Sequence, residues 1–454
     1  MTSRGDFVDT RGPSLSAAWK ARLGPIVAAC LAALGAVASQ RGVARYRTIW
    51  AEDGEVFAQC AYTARSGLEC VLTAYDGWLH LVPRVLAEVA TRLPPVVLSV
   101  ALNGLAAIVA AGCAYLTARA VRDVTRSGLA GCVAGASLLL IAPATREVGG
   151  NITNLHWIMF VAGVTVVVAT WLDHPFDIAD GVLVALVALS SPFGLVLLTF
   201  GAFGLIVGRR SLAPMMVVTG AAVAVQLALA LTTPRNAVRD VPVSVLSPID
   251  WYLRYVVGAG TYGNRGPVPD ELIAVAIVAC LAGLVARLVV DDRARRQTAG
   301  HAADRWKPWL EIAAVIALLA VGAAVFAAST YLNRHVTPRY QYVPVALGMV
   351  ALFIGAGCLA RRVAGRPGGW PAGWPGPSSV ALVVLAAVVG IGFAATFRTR
   401  NLASAGPDVP VEIAARSPEC DGVMTSLLFK ISPLPTTTTP YDWQVVIPCD
   451  RLAP

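Results

Sequence analysis

Residues 180–208, "DGVLVALVALSSPFGLVLLTFGAFGLIVG", are too long for one membrane crossing and too short for two full ones, since a helix crosses a bilayer in about 20 apolar residues. The stretch is apolar apart from Asp180 and a polar centre at Ser190, Ser191 and Pro192. A single crossing puts Arg209, Arg210 and the later run "DDRARRQTAGHAADRWK" (291–307) on the outer face, against the bias that holds arginine and lysine inside. Two short segments turning at Ser190–Pro192 keep every basic loop inside. The broken hairpin is the preferred reading, with one kinked helix as its alternative. Irregular backbone at membrane depth is tolerated only where protein or a water-filled cavity surrounds it, which places Pro192 beside a lumen.

Composition extends this to the whole chain. Of 454 residues, 56% are hydrophobic and only 14% charged, with mean hydropathy +0.66. Repeated apolar runs near span length imply an all-α polytopic membrane protein, whereas a barrel would show short alternating strands. The net charge of +9 resides mainly in short loops, an orientation signal and not a nucleic-acid surface. Lysine occurs only at Lys20, Lys307 and Lys430, and this arginine bias with the Ala, Val and Gly load suggests a GC-rich bacterial genome and hence the bacterial plasma membrane.

The basic N-terminus (Arg4, Arg11, Lys20, Arg22) precedes an apolar run at 24–40, so the chain starts on the cytoplasmic side. No small-residue cleavage site follows that run, which is read as a span and not a leader. Further spans are expected near 95–117, 128–144, 156–172, the two short segments of 180–208, 213–232, 271–290, 309–330, 342–360 and 378–396, making about eleven. The first outer loop is 41–94. Residues 1–396 form the membrane domain, and 397–454 an exoplasmic appendage with strand-like runs "SLLFKI" and "WQVVIP". A lid packed on the outer loops is the plainer reading of that appendage, and a small sugar-binding module the alternative. The cysteines agree on sidedness. Cys60, Cys70, Cys420 and Cys449 fall in the two outer segments, the other five fall in spans, and none falls in an inner loop. Cys60 with Cys70 and Cys420 with Cys449 are the natural disulfides, cross-pairing remaining open.

Chemistry gathers in the outer loops. The first holds "RYRTIWAEDGEVF" (45–57), with adjacent Glu52 and Asp53, and then "YDGWLHLVPRVLAEVATRLP" (75–94), with His80 and Arg84 in a segment patterned as a helix on the membrane surface. The second is "REVGGNITNLHW" (146–157), with Glu147, Asn154 and His156, and the third contains Arg254. The fourth, "YLNRHVTPRYQYVP" (331–344), carries Arg334, His335, Arg339 and Tyr340. Outer arginines need compensation by paired acids or by a phosphate, which guanidinium grips in bidentate fashion. Arg334 and Arg339 are the phosphate candidates; Arg254 is assigned first to lipid headgroups or salt bridges.

This layout of an acidic pair in the first outer loop, a surface helix after it, short broken spans and a late Arg/Tyr loop resembles the GT-C superfamily of integral membrane glycosyltransferases. The segment from "WAEDGEVF" to "GWLHLVPR" also resembles uncharacterised actinobacterial members. The resemblance implies a GT-C-like bundle and a catalytic acid in the first loop. It also implies a sugar delivered on polyprenyl phosphate to a glycan or glycolipid acceptor, with no nucleotide. Magnesium or manganese is an open question. The chemistry stands without the family. Sugar transfer from a lipid phosphate needs a base for the acceptor proton and cations for the leaving phosphate, and one base opposite the leaving group implies inversion. Asp53 is favoured as that base, with Glu52 positioning a hydroxyl, a metal or an arginine. Two adjacent acids on a loop point in directions that sequence leaves open, and a solvated pair capping the surface helix is the plain alternative. His80, His156, Arg84, Asn154 and Arg254 complete the substrate-binding candidates. A lone histidine at a membrane interface is more often a satisfied interfacial residue, and Trp50, Tyr75, Trp78 and Trp157 equally suit an aromatic belt.

Other classes fit less well. A transporter or flippase of lipid-linked sugars would place ionisable groups mid-span, and these spans are nearly charge-free there. A membrane acyltransferase would need a histidine beside an acid, for which His156 is the one candidate. "GNRGPVPD" and "GRPGGWPAGWPG" do not link a strand to a helix as a phosphate cradle would, and the chain carries no nucleophile elbow, metalloprotease helix or paired CxxC.

Overall fold

Residues 180–208 form two short helices broken over 191–193. The computed structural model describes residues 15–38, 43–141, 144–233, 247–252, 256, 307–333, 336–364, 406–420, 424–433 and 442–452. In chain order the helices are α1 (Leu15–Ala38), α2 (Gln59–Thr63), α3 (Gly67–Leu72), α4 (Leu81–Ala90), α5 (Leu98–Thr125), α6 (Gly128–Leu140), α7 (Leu155–Trp171), α8 (Ile178–Ser190), α9 (Gly194–Ile206), α10 (Ala213–Thr232), α11 (Ser247–Trp251), α12 (Lys307–Asn333), α13 (Pro338–Ala364), α14 (Val409–Arg416) and α15 (Cys449–Leu452). Two π-helical turns, Asp53–Ala58 and Ala144–Val148, lie in the connections between α1 and α2 and between α6 and α7.

Four stretches, Pro95–Thr125, Arg210–Thr232, Trp309–Leu332 and Arg339–Leu359, are long and apolar enough to cross a membrane. Five shorter apolar helices accompany them: Leu23–Gly35, Gly128–Leu140, Leu155–Trp171, Ile178–Ser190 and Gly194–Ile206. The expected spans at 271–290 and 378–396 lie outside the described residues. Helices α6, α8 and α9 have 13 residues each. At 1.5 Å per residue that is about 20 Å, against about 30 Å of hydrocarbon. The expected span at 128–144 is thus shortened, because Ile141 is already extended.

Helix α7 is the centre of the bundle, with every residue from Leu155 to Trp171 buried. Its all-round apolar sequence suits a helix enclosed by α5, α8, α9, α12 and α13. Helices α5 and α6 approach closely through small residues. A side chain at Gly131 or Gly135 would collide with the Ala118 or Ala114 carbonyl, as in other small-xxx-small contacts.

The broken hairpin is present. At its start Asp177 caps α8 in a reciprocal box with Asp180, and Arg119 pairs with both carboxylates. At its far end Arg209 donates to the Trp171 carbonyl at 2.7 Å and pairs with Asp173 at 2.8 Å. Both ends therefore return to one face of the bundle, where Arg122 and Arg361 also lie. The break sits at the opposite face and is covered by the surface segment. Ser190 Oγ accepts from Val82 N–H at 3.0 Å, and Gln226 of α10 holds Leu79 by two hydrogen bonds and the Ala188 carbonyl by a third. Helix α4 buries Val82, Arg84, Ala87 and Ala90 and leaves Val85 and Val89 exposed, the pattern of a helix lying on a surface.

The C-terminal appendage is a small two-stranded antiparallel sheet, β1 (Ser426–Lys430) with β2 (Gln444–Pro448), flanked by α14 and α15. It packs on the acidic segment. Ser432 N–H donates to the Ile49 carbonyl at 2.9 Å, Gln444 N–H to Glu55 at 3.1 Å and Val446 N–H to Gln59 at 2.7 Å. Gly54 permits this approach, since a Cβ there would meet Ile431, Ile49 and Val445. Disulfides join Cys60 to Cys70 and Cys420 to Cys449, the pairings expected within each segment.

Candidate active site

Glu52 and Asp53 lie on a helical run that starts at Ala51 and passes into the π turn, not on an irregular loop. Consecutive helical side chains diverge by about 100°, so the two acids meet different surroundings. Asp53 points into the bundle and is 1% exposed. Its Oδ2 accepts from Ile152 N–H at 3.0 Å, and its Oδ1 accepts from Thr153 N–H at 2.9 Å and from the Thr153 hydroxyl. Burial pushes its carboxyl up, the Thr153 and Ile152 hydrogen bonds pull it back, and the Glu52 charge adds to the rise, leaving it at about 7. Both oxygens are engaged, which makes Asp53 a clamp between the α1–α5 connection and the α6–α7 connection.

Glu52 is different. Its Oε1 lies 3.4 Å from Arg339 Nη1, and its Oε2 is buried without a partner among the described residues. Buried polar atoms in native proteins nearly always find a partner, and one that does not marks a place for water or ligand. Arg339 also faces Glu147, with Nε 3.6 Å from Oε1 and its backbone N–H donating to Oε2 at 3.2 Å. Ion pairs of full strength close to about 2.7–2.9 Å, so Arg339 is held loosely between two carboxylates. The acids Glu52 and Glu147 both lie beside the Arg339 guanidinium. Burial raises the Glu147 carboxyl against the pull of Arg339.

Tyr340 and His156 join the same wall. The Tyr340 ring lies 6.1 Å from Trp157, Trp157 4.7 Å from His156, and His156 5.7 Å from His80. His80 continues to Tyr75 and Phe57, each 5.8 Å away. Burial drives His80 down to about 3, with the charges of His156 and Arg84 adding, so its imidazole is neutral at physiological pH. The Trp157 and Trp50 indole N–H groups and His80 Nδ1 are buried and unpartnered among the described residues.

Two expected ligand groups serve the scaffold. Arg84 stacks over Phe57 at 5.4 Å and donates to Cys70 Sγ at 3.5 Å, bracing the disulfide-linked loop from below. Asn154 Nδ2 points to the Glu147 carbonyl at 3.4 Å, and its N–H is held by Asn151 Oδ1 at 2.8 Å. Arg334, His335 and Arg254 lie outside the described residues. Glu147 and Arg45 were not among the expected site residues. Arg45 is 1% exposed and donates to the Glu147 carbonyl at 3.0 Å, and burial lowers its guanidinium to about 10 while Asp53 and Glu147 oppose that fall. An arginine beside an expected span, in a loop rich in acids, is the signal the sequence offers for Arg45.

Among the described residues no three His, Cys, Asp or Glu side chains converge, Asp53 has both oxygens engaged, and the Arg339 guanidinium stands where a cation between Glu52 and Glu147 would sit. No family model, curated protein or solved structure matches this chain.

Proposed function

We propose that the protein is an integral membrane glycosyltransferase of GT-C type that moves a sugar from a polyprenyl-phosphate carrier to a glycan or glycolipid acceptor at the outer face of a bacterial plasma membrane, with its N-terminus cytoplasmic. The observation that carries the reading is the Glu52 carboxylate, loosely paired to Arg339 through one oxygen and unpartnered through the other, at the head of an aromatic wall. Aromatic faces with a few oriented polar groups suit a sugar ring.

Glu52, and not Asp53, is the base in this scheme. The acceptor hydroxyl loses its proton to Glu52 Oε2 as its oxygen bonds to the anomeric carbon. The bond from that carbon to the phosphate oxygen breaks on the opposite face, and the phosphate leaves with the electron pair. Arg339, drawn from its long contacts with Glu52 and Glu147, takes up the growing charge. Attack and departure on opposite faces invert the anomeric centre.

Purified protein in lipid nanodiscs, given radiolabelled polyprenyl-phosphate sugars and cell-envelope acceptors, tests the scheme. Transfer that is lost in Glu52→Gln and Arg339→Leu supports it. Full transfer in Glu52→Gln removes the site assignment. No transfer with any lipid-linked sugar, together with movement of that lipid between leaflets, favours the flippase.

A further inference from the structure

The Asp53 carboxylate is the most elaborately bonded acid of the site, yet it reaches no open surface. What it holds is the second outer loop. It accepts from the N–H groups of Ile152 and Thr153 and from the Thr153 hydroxyl, so the Thr153 peptide is fixed on one side. On the other side of that residue the Thr153 carbonyl oxygen lies 2.7 Å from His156 Nδ1. A carbonyl only accepts, so Nδ1 must carry the proton. In a neutral imidazole Nε2 is then bare, with its lone pair in the plane of a ring flanked by His80 and Trp157. Among the described residues nothing bonds to that nitrogen, and it is not among the fully buried orphan atoms.

We infer that Asp53 acts as a positioning residue that fixes the His156 tautomer through Thr153, and that His156 Nε2 is a hydrogen-bond acceptor for a hydroxyl of the bound sugar. This rests on the reading of the site as a sugar site. It gives the buried acid a task that needs no proton transfer by Asp53. It also separates two acceptors by role. Glu52 Oε2 takes the hydroxyl that reacts, and His156 Nε2 takes a hydroxyl that sets which sugar fits. Two roles distinguish the outcomes expected of their variants: loss of turnover for Glu52, and loss of binding for His156.

The chain has five histidines, few enough for nitrogen-15 NMR of the full-length protein labelled at histidine, with His156→Gln assigning the signal. At neutral pH the His156 signal should report a protonated Nδ1 and a bare Nε2. In Asp53→Asn, or in Thr153→Val should the first variant not fold, this single tautomer should give way to a mixture, while Glu52→Gln leaves it intact. An Nε2-protonated wild type, or a tautomer indifferent to both Asp53→Asn and Thr153→Val, overturns the relay. Farnesyl-phosphoryl hexoses and pentoses then probe the ligand, with farnesyl phosphate as control. A sugar-bearing probe should move the Nε2 signal where farnesyl phosphate does not, and His156→Leu should weaken its binding about tenfold, the loss of one hydrogen bond. Equal shifts from farnesyl phosphate, or none from any sugar, overturn the assignment of Nε2. Failure of transfer in the wild type alongside a sugar-dependent Nε2 shift would remove the enzyme reading and leave this one standing.

Discussion

Glu52 and Asp53 are neighbours in the chain and opposites in environment, and their variants should part accordingly. Glu52→Gln preserves shape and the Arg339 contact through its amide oxygen, so the melting temperature should move little while transfer falls by about 10²–10⁴, the range for a lost general base. Asp53→Asn keeps one acceptor oxygen for Thr153 but sets an NH2 against a main-chain N–H where the second oxygen was, and should cost about 1–2 kcal/mol of stability at low pH. Its pH dependence has a definite sign. Burial pushes the Asp53 carboxyl up from its ordinary 3.8 to about 7, so the folded state binds the proton more tightly. The stability it contributes is present below 3.8 and is lost as pH rises to about 7, up to about 4 kcal/mol. The melting temperature of the wild type should therefore decline against that of Asp53→Asn across this window, and parallel curves would contradict a buried titrating Asp53. The adjacent acids themselves are legible in "WAEDGEVF". Their different surroundings are not, because Asp53 is satisfied by main-chain N–H groups 99 and 100 positions away, which no side-chain pattern announces.

The hairpin of α8 and α9 shows what an element-level argument can read. Charge bias and the Ser190–Pro192 centre were enough to expect a break, and the break is there with both ends of the hairpin on one face. What the sequence hid was its cover. Gln226 is a lone amide in an apolar helix, and only the fold shows it bound to Leu79 and Ala188. Replacing it by leucine keeps the helix apolar but strands the Leu79 N–H and carbonyl. Gln226→Leu should lose about 1–3 kcal/mol and free the surface segment, seen as faster proteolysis or hydrogen exchange at 75–85. At the opposite end His174, buried between Asp123 (3.0 Å) and Asp180 (3.2 Å), ties α8 to α5. Burial alone would lower its pKa, but the bonds to Asp123 and Asp180 outweigh that and raise it above 6.5. The contribution of that clasp is complete below 6.5 and is lost as pH climbs through the folded value. His174→Gln should therefore differ most from the wild type at pH 6 and progressively less in alkali; a difference that grows with pH would contradict the clasp.

At the scale of the whole molecule, charge and cysteine divide between two ends. Arg119, Arg122, Arg209 and Arg361 gather where α8 begins and α9 ends, while both disulfides flank the Glu52 segment at the other. The appendage belongs to the Glu52 end because strand β2 is bonded to Glu55 and Gln59, so no membrane can pass between them. The positive-inside bias then gives a sidedness that labelling can check. Arg65 and Met424 are exposed at the disulfide end, and Arg126 is exposed at the basic end. A membrane-impermeant maleimide on intact spheroplasts should label Arg65→Cys and Met424→Cys alike, and should label Arg126→Cys only after lysis. Opposite labelling of Arg65→Cys and Met424→Cys would contradict the packing of the appendage on the first outer loop. Labelling of Arg126→Cys alone in intact cells would leave the packing untouched and turn the protein over in the membrane, putting both disulfides in a reducing cytosol and the candidate site beyond reach of an external acceptor.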